Sequence, residues 1–328
     1  MSSFRNKRVL VTGGCGFVGV NLLKKLLKEG AIIRSTVYNK KPLVAKKEIE
    51  YLKGDLLEDK FCDKVVENID YVFHCAAVSA GAEMMQKNPL FLLNPNIFMS
   101  LNLIKSAQKS NVKKFIFISS STVYPLTDYA VKEEDSSTEF FEKYFISGWM
   151  KKFLEATCEM YSTKINKPLV TIIVRPSNLY GPYDKFDKKR SKVIPALIRR
   201  SLDKESPFVV WGDGNDLKDF IYIDDFIDGL INAAKKLTSF NVVNLGFGEP
   251  VTIKQILHEV LESTNFKNPE LFFDTSKPTM IPKRIVDISK AKRLINFKPK
   301  YDIKNGIKET VKWYNSFFIN KNPDDFIS

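Results

Sequence analysis

Three glycines near the start of the chain are spaced so that the backbone around them can approach a phosphate group. Gly13, Gly16 and Gly19 follow an apolar run at residues 9–11 and precede leucines at helical spacing in residues 20–30. Glycine has no Cβ to hold a pyrophosphate away, and the first turn of a helix offers free N–H groups and a partial positive charge. The order strand, glycine turn, helix therefore predicts a dinucleotide-binding site, whereas a ligand-free glycine turn would not need both flanking elements.

The residues at the end of the second predicted strand bear on which dinucleotide is bound. A site for the unphosphorylated ribose usually has a carboxylate about twenty residues beyond the glycines, and residues 33–41 contain none. Arg34, Lys40 and Lys41 lie there instead, and such cations can bind a ribose 2′-phosphate. The sequence thus favours NADP over NAD, with three solvated surface cations as the open alternative.

Apolar runs and helical patterns alternate along the first half of the chain. Strands are predicted at residues 9–11, 31–38, 48–53, 71–75, 115–119 and 170–175. Helices are predicted near residues 22–28, 61–67, 90–110 and 148–161. This alternation is typical of a doubly wound α/β domain, in which a parallel sheet carries helices on both faces (the Rossmann fold).

A change in composition after Pro176 divides the chain. Proline and glycine become denser in residues 177–328, and the helical patterns there stand between loops. We expect residues 1–176 to form a dinucleotide-binding domain and residues 177–328 to form mainly a smaller substrate-binding lobe at the carboxyl edge of the sheet. Residues 224–245 are expected to return to the first domain.

Composition and charge disfavour several classes of protein. The chain has 328 residues, 44% of them hydrophobic and 27% charged, and no apolar run approaches the roughly 18 residues of a membrane-spanning helix. The four cysteines show no metal or redox spacing and the first strand begins too early for a signal peptide, so we expect a cytoplasmic protein with free thiols and no metal. The net charge of +13 is spread in ones and twos, which favours a solvated surface that attracts small anions over a nucleic-acid site.

Several stretches of the chain together resemble one enzyme family. They are residues 12–19, 54–56, 74–77, 119–125, 175–182, 211–214, 218–225, 244–248 and 282–292. In this order and spacing they are similar to the extended short-chain dehydrogenase/reductase family, the NAD(P)-dependent nucleotide-sugar epimerases, dehydratases and reductases. The resemblance covers nearly the whole chain and implies a hydride transfer between a nicotinamide and a sugar carbon, with C4 as the expected carbon.

The resemblance also implies roles for individual residues. Asp55 and Leu56 would hold the adenine, and Ala76 and Ala77 would line the cofactor cleft. Ser120 matches the catalytic serine or threonine that orients the reacting oxygen, and a polar residue that merely ends a strand is the alternative. The full set expected to bind the cofactor is Gly13, Gly16, Phe17, Val18, Gly19, Arg34, Asp55, Leu56, Ala76, Ala77 and Lys151.

The chain departs from the family at the catalytic tyrosine. Members carry Tyr-x-x-x-Lys on a helix, where the lysine holds the nicotinamide ribose and lowers the pKa of the phenol for proton transfer. The matching residues here are Ser147 and Lys151, which share one helical face. Because a serine hydroxyl is a much weaker acid than a phenol, three alternatives stay open: another proton carrier, an enzyme that has lost much of its turnover, or an engineered substitution. A non-catalytic dinucleotide-binding sensor or scaffold is the alternative from another functional class.

Smaller features bear on the substrate and the assembly. Residues 123–125 and 191–200 look like those of GDP-fucose synthases and GDP-mannose 3,5-epimerases, although Thr122 stands where those enzymes have a cysteine. The residues expected to hold a nucleotide diphosphate sugar are Asn178, Lys192, Val193, Trp211, Lys218 and Arg284, with the cations meeting phosphate charge. Lys192 is explained equally well as a surface lysine. A homodimer with no nucleic-acid or membrane partner is expected.

Overall fold

The structure is a computed structural model that describes residues 4–78, 88–188, 190–277, 279–319 and 323. In chain order its strands are β1 (Arg8–Thr12), β2 (Ile32–Val37), β3 (Ile49–Lys53), β4 (Tyr71–His74), β5 (Lys114–Ile118), β6 (Val170–Pro176), β7 (Asn178–Tyr180), β8 (Phe208–Trp211), β9 (Leu217–Tyr222), β10 (Asn241–Leu245), β11 (Pro250–Thr252), β12 (Leu271–Asp274) and β13 (Lys283–Arg284). Its helices of more than one turn are α1 (Phe17–Lys28), α2 (Asp59–Val66), α3 (Leu93–Lys109), α4 (Phe145–Thr163), α5 (Val193–Leu202), α6 (Ile223–Lys236), α7 (Ile253–Ser263), α8 (Ser289–Ile295) and α9 (Ile303–Phe317).

A parallel sheet of seven strands organises the fold. Its strand order is β10-β6-β5-β4-β1-β2-β3, so the chain starts in the middle and winds outward in both directions. Every neighbouring pair in this sheet is parallel. The doubly wound α/β fold predicted from the sequence is confirmed, and the place where the strand order reverses is where such folds bind their ligands.

The apolar run of β1 reflects burial on both faces of the sheet. Val9, Leu10 and Val11 are all fully buried. Val9 and Val11 pack in one core with the leucines of α1, whereas Leu10 packs in a second core with α2. Side chains alternate between the faces of a strand, so a continuous apolar run is what a sheet covered on both sides requires.

The later part of the chain builds smaller sheets beside the main one. Strand β9 pairs with β7, β11 and β13, while β8 pairs with β12. Helix α9 packs on β9 and α7 on β11, α5 packs on α7, and β10 joins the main sheet beside β6. No helix in the described parts of the chain is both long and apolar enough to cross a membrane.

Candidate active site

The glycine turn between β1 and α1 is packed so closely that two of its glycines are required by the protein itself. Gly13 has a φ of +67°, and an added Cβ there would lie 2.7 Å from the Cα of Ala76. An added Cβ at Gly19 would lie 2.2 Å from the carbonyl oxygen of Gly13. Gly16, which caps α1, is different, because its backbone is extended and an added Cβ would meet only the Gly13 oxygen, at 3.3 Å. The protein's own packing therefore does not require a glycine at position 16.

The other residues predicted to bind the cofactor lie around this turn. Phe17 and Val18 form the half-buried first turn of α1. Asp55 is also half-buried, and its Oδ1 accepts a hydrogen bond from the Leu57 N–H at 2.9 Å. Leu56 packs in the second core. Of the two alanines after β4, Ala76 is half-buried and Ala77 is exposed. Strands β1 and β4 are neighbours in the sheet, so the glycine turn and these alanines lie at the same carboxyl edge.

Arg34 is the predicted cofactor residue whose contacts contradict its predicted role. Its Nη1 donates to the carbonyl oxygens of Glu67 at 2.9 Å and Val65 at 3.1 Å, and its Nε donates to Glu50 at 2.8 Å. These carbonyls end α2, which lies at the amino edge of the sheet because β4 begins just after it. The guanidinium is thereby directed away from the glycine turn, so the prediction that it meets a 2′-phosphate is wrong. It caps a helix C-terminus instead.

Lys40 lies beyond the carboxyl end of β2, close to the glycine turn. Its carbonyl oxygen is 3.9 Å from the Cys15 Sγ, and Cys15 lies within the turn. Burial, and secondarily the positive charges of Lys185 and Arg190, lower the pKa of Lys40 to about 8. Three cations from two separate segments thus lie within electrostatic range of one another beside the turn, an arrangement that an anionic ligand would stabilise.

Lys151 and Ser120 meet at the carboxyl end of β5. Lys151 donates from Nζ to the carbonyl oxygen of Ile118 at 2.8 Å, and its Nζ lies 4.8 Å from the ring centroid of Phe117. Burial lowers the pKa of Lys151 to about 8. Ser120 follows two residues after Ile118 and caps a short 3-10 turn, where its Oγ accepts the Thr122 N–H at 3.2 Å. A neutral carbonyl oxygen therefore holds the ammonium group, and its positive charge remains available to an anionic ligand.

Ser147 lies in the first turn of α4, one helical turn before Lys151. The side chain is half-buried, and its Oγ donates to the carbonyl oxygen of Tyr144 at 3.0 Å. The next residue, Gly148, packs so closely that an added Cβ would lie 3.0 Å from the Thr122 carbonyl oxygen. The start of α4 is thereby pressed against the turn that follows Ser120. The structure brings Ser120, Ser147 and Lys151 to one end of β5.

A buried ion pair holds α4 to the sheet next to these residues. Arg175 on β6 donates to both carboxylate oxygens of Glu155, at 2.8 and 2.7 Å, and both side chains are almost fully buried. Arg175 also donates to the Tyr124 hydroxyl at 2.9 Å, and that hydroxyl bonds to Asn244. Glu155 follows Lys151 by one turn of α4, so the pair fixes the position of the lysine along the sheet. This network was not predicted from the sequence, where the spacing of Glu155 from Lys151 was the available signal.

Two cations predicted to meet phosphate lie side by side in the later part of the chain. Arg284 on β13 and Lys218 on β9 are register partners. Lys218 pairs with Asp216 at 3.0 Å. Arg284 is buried and donates from Nη2 to the Tyr124 carbonyl oxygen at 3.0 Å, while its Nε and Nη1 have no partner among the described residues. Burial lowers the pKa of Arg284, and adjacent cations on paired strands repel each other, so this place favours an anion.

The remaining predicted substrate residues differ in how far they are available. Asn178 donates from its side-chain amide to the Asp219 carbonyl oxygen at 2.8 Å, which ties β7 to β9. Trp211 is 49% exposed at the end of β8, and Val193 is 37% exposed at the start of α5. Lys192 precedes α5 and is exposed. Within the described residues, histidine, cysteine and carboxylate side chains do not gather in threes as a metal site requires.

The sequence matches a known protein family over most of its length. A sequence model of the "NAD dependent epimerase/dehydratase family" matches residues 9–246, from β1 to just beyond β10. The chain belongs to this family. The family expected from the sequence motifs is confirmed, and with it an enzyme family of nucleotide-sugar epimerases and reductases.

Named relatives are similar over nearly the whole chain. Probable GDP-L-fucose synthase 1 of Oryza sativa subsp. japonica is 30% identical over 323 residues, covering 94% of this chain and 92% of that protein. An epimerase of Methanothermobacter thermautotrophicus superposes with a TM-score of 0.86 at 26% identity, covering 97% of this chain and 96% of that one. The UDP-glucuronic acid 4-epimerase of Bacillus cereus, solved with UDP-glucuronic acid and NAD, gives a TM-score of 0.83 at 26% identity, covering 94% and 99%.

Proposed function

We propose that the protein is a nucleotide-sugar oxidoreductase or epimerase that transfers a hydride between a nicotinamide cofactor and a sugar carbon, C4. The observation that carries the proposal is the buried Arg284, whose guanidinium has two nitrogens without a partner among the described residues. A buried cation of this kind is costly unless a counter-charge joins it. The diphosphate of a nucleotide sugar supplies that charge, and Lys218 on the adjacent strand lies where it would share it.

The residues at the end of β5 supply the reacting side of the site. When bound, the nicotinamide would take up and return the hydride of the sugar carbon. Ser120 would orient the reacting sugar oxygen by a hydrogen bond from its hydroxyl. Lys151 would hold the nicotinamide ribose and stabilise negative charge on that oxygen. Ser147 occupies the position from which a tyrosine would exchange the proton.

The proposed substrate is a GDP-sugar or another NDP-sugar. The rice relative is named for a GDP-sugar, whereas the Bacillus cereus relative is bound to a UDP-sugar. Both share the diphosphate. Recognition through Arg284 and Lys218 would be common to either nucleotide, because both cations act on the phosphates and not on the base.

The proposal is tested by calorimetric titration of the protein, saturated with NADP, with GDP-mannose and with UDP-glucuronic acid. We expect at least one of them to bind, and Arg284→Met to weaken that binding by about 10- to 100-fold, the value of a charged hydrogen bond. Arg293→Met, which removes an exposed cation from α8, is the matched control and should leave the affinity unchanged. Equal affinities in the native and Arg284→Met proteins would contradict the proposal.

A non-catalytic dinucleotide-binding sensor or scaffold is the second candidate, and Ser147 is the observation that favours it. A sensor would bind cofactor and nucleotide sugar without turnover. An engineered or recent loss of the tyrosine would have the same appearance. The enzyme and the sensor differ in the turnover expected when Ser147 is replaced by tyrosine.

For the cofactor we propose NADP, with Lys40 in place of Arg34 as the residue that meets the 2′-phosphate. Lys40→Ala should weaken NADPH binding by about tenfold or more and leave NADH binding nearly unchanged, because a charge-assisted bond is lost only with the phosphorylated cofactor. Arg34→Ala should lower the thermal unfolding temperature, since it uncaps α2, and should affect both cofactors alike. Loss of NADH and NADPH affinity to the same extent in Lys40→Ala would return the cofactor preference to NAD.

We also propose that the protein forms a homodimer through an apolar surface on α3 and α4. Its aromatic side chains are Phe91 in the turn before α3, Phe98 on α3, and Phe145, Trp149 and Phe153 on α4, each between 42% and 54% exposed. Phe145, Trp149 and Phe153 recur every four residues on one side of α4, which packs against α3. Half-exposed aromatic side chains would bury about 100 Å² each. The five together would supply about 500 Å², more than half of the roughly 800 Å² that each partner of a stable complex contributes, and a second copy offers the same aromatic surface in return.

Light scattering during size-exclusion chromatography tests the dimer. The native protein should have twice the 37.6 kDa mass of the chain. Trp149→Glu should be a monomer, because it would bury a charge in the interface. Phe272→Glu, at an aromatic residue on β12 that is more exposed than Trp149, is the control and should remain dimeric. A monomeric native protein would exclude this assembly.

A further inference from the structure

His74 ends β4 directly below the glycine turn, and both of its ring nitrogens are hydrogen bonded. Nδ1 lies 2.8 Å from the Thr12 Oγ1, and Nε2 lies 2.9 Å from the Ser100 Oγ. The side chain is 3% exposed. Burial, and then the charge of Lys151, lower its pKa to about 3, so the ring is neutral at physiological pH. A neutral imidazole carries its hydrogen on only one of the two ring nitrogens, and the hydrogen-bond partners determine which one.

The hydrogen bonds around Thr12 determine the tautomer of His74. The Thr12 Oγ1 accepts the backbone N–H groups of Cys75 and Ala76, both at 3.1 Å. Both acceptor positions of the hydroxyl are then used, so its own hydrogen must point to Nδ1. Nδ1 is therefore the unprotonated nitrogen, and Nε2 carries the hydrogen and donates to Ser100. Ser100 completes the chain by donating to the Asn96 carbonyl oxygen at 2.7 Å.

This series of hydrogen bonds, which runs from Thr12 through His74 to Ser100, controls the spacing between the glycine turn and the end of β4. Thr12 is bonded covalently to Gly13, and the N–H groups that it accepts belong to the residues that face Gly13. An added Cβ at Gly13 would be only 2.7 Å from the Ala76 Cα, so the two segments are already in contact. We propose that His74 is a positioning residue for the dinucleotide, which fixes the Thr12 hydroxyl so that it holds the end of β4 against the phosphate-binding turn. The inference rests on the proposed cofactor site.

The ring of His74 also supports the other end of the cofactor cleft. His74 stacks on Phe117 with ring centroids 6.1 Å apart, and the Lys151 Nζ lies 4.8 Å from the centroid of the same Phe117 ring. A positive charge on the histidine would repel the ammonium group of Lys151. The neutral tautomer thus serves both the glycine turn and the lysine assigned to the nicotinamide ribose.

Two amide substitutions of His74 test the two ends of this series of hydrogen bonds separately. Asparagine can place its Oδ1 where Nδ1 lies and accept from Thr12, but it cannot reach Ser100. Glutamine can place its Nε2 where the ring Nε2 lies and donate to Ser100, but it leaves Thr12 without an acceptor. Each variant loses one buried hydrogen bond, so both should lower the unfolding temperature to a similar extent.

Calorimetric titration with NADPH and NADH should distinguish the two variants. We expect His74→Asn to keep the native dissociation constant within about threefold and His74→Gln to weaken it by about tenfold. Should either variant fail to fold, Thr12→Val and Ser100→Ala probe the same two ends, and only Thr12→Val should weaken binding. Equal cofactor affinities within a pair would overturn the inference, whereas a native protein that binds neither dinucleotide would overturn the proposed function as well.

A spectroscopic measurement tests the tautomer directly. The chain has two histidines, His74 and His258, so His258→Gln leaves a single imidazole in the nitrogen-15 spectrum. We expect a protonated Nε2 and an unprotonated Nδ1. The opposite tautomer would mean that Thr12 accepts from the ring, and the positioning role would be lost.

Discussion

Replacing Ser147 with tyrosine is expected to raise the turnover of a nucleotide sugar by about 10²–10⁴-fold, the usual contribution of a positioned general acid–base group. Serine is poorly suited to that role, because its hydroxyl is a far weaker acid than a phenol. Its Oγ also donates to the Tyr144 carbonyl oxygen at 3.0 Å, which occupies the proton that catalysis would need. Lys151 lies one helical turn further on, where its positive charge would lower the pKa of the new phenol.

The gain should depend on the hydroxyl group and on the lysine. Ser147→Phe supplies the ring without the hydroxyl and should give no increase. Ser147→Tyr combined with Lys151→Ala should also give none, because the phenol pKa then stays near its ordinary value of about 10. Conversion of whichever nucleotide sugar binds in the titrations is measured by chromatography and mass spectrometry, with cofactor in excess.

The result separates the candidate functions. A large gain would mean that Ser120, Lys151 and the diphosphate site are competent and that only the phenol is absent. A tyrosine variant no faster than its parent would place the chemistry on another group of the protein, or would favour the sensor. An equal increase in the turnover of Ser147→Phe would show that the aromatic ring raises turnover by packing in the site and that the phenol hydroxyl transfers no proton.

The fold was predictable because its sequence signals are local. The run at residues 9–11 predicts a strand buried on both faces, and β1 packs between two cores as expected. The glycines after it are needed where the chain turns, so their spacing also gave the position of the turn. Such signals require only neighbouring residues and the alternation of side chains along a strand.

The partners of individual side chains were not predictable in this way. The sequence places Arg34 on β2 but does not say which face it leaves from, and the structure directs it to the end of α2. Arg284 bonds to the carbonyl of Tyr124, which is 160 residues earlier. A parallel bridge between Val131 and Val286 holds these two distant segments side by side. The two-residue strand β13 carries no periodic signal of its own.

Gly16→Val is expected to weaken the binding of both NADH and NADPH by about 100-fold or more while the protein stays folded. The backbone at Gly16 is extended, with φ −89° and ψ 169°, which valine adopts readily. An added Cβ meets only the Gly13 oxygen, at 3.3 Å, so a small shift accommodates it. The pyrophosphate, however, must approach the N–H groups at the start of α1, and two charged hydrogen bonds are each worth about 1.5–3 kcal/mol. Calorimetric titration gives the affinities and thermal unfolding gives the stability.

A second glycine variant distinguishes blocked approach from general loss of stability. Gly30 follows the far end of α1 with a φ of +72°, and an added Cβ there has its nearest atom 3.6 Å away. Gly30→Ala should therefore cost about 1 kcal/mol of stability through backbone strain alone and leave both cofactor affinities unchanged. If both variants weakened the cofactors equally, the effect would follow stability. If Gly16→Val bound both cofactors as tightly as the native protein, the pyrophosphate would have to lie away from the N-terminus of α1. The valine side chain and a pyrophosphate would not both fit there.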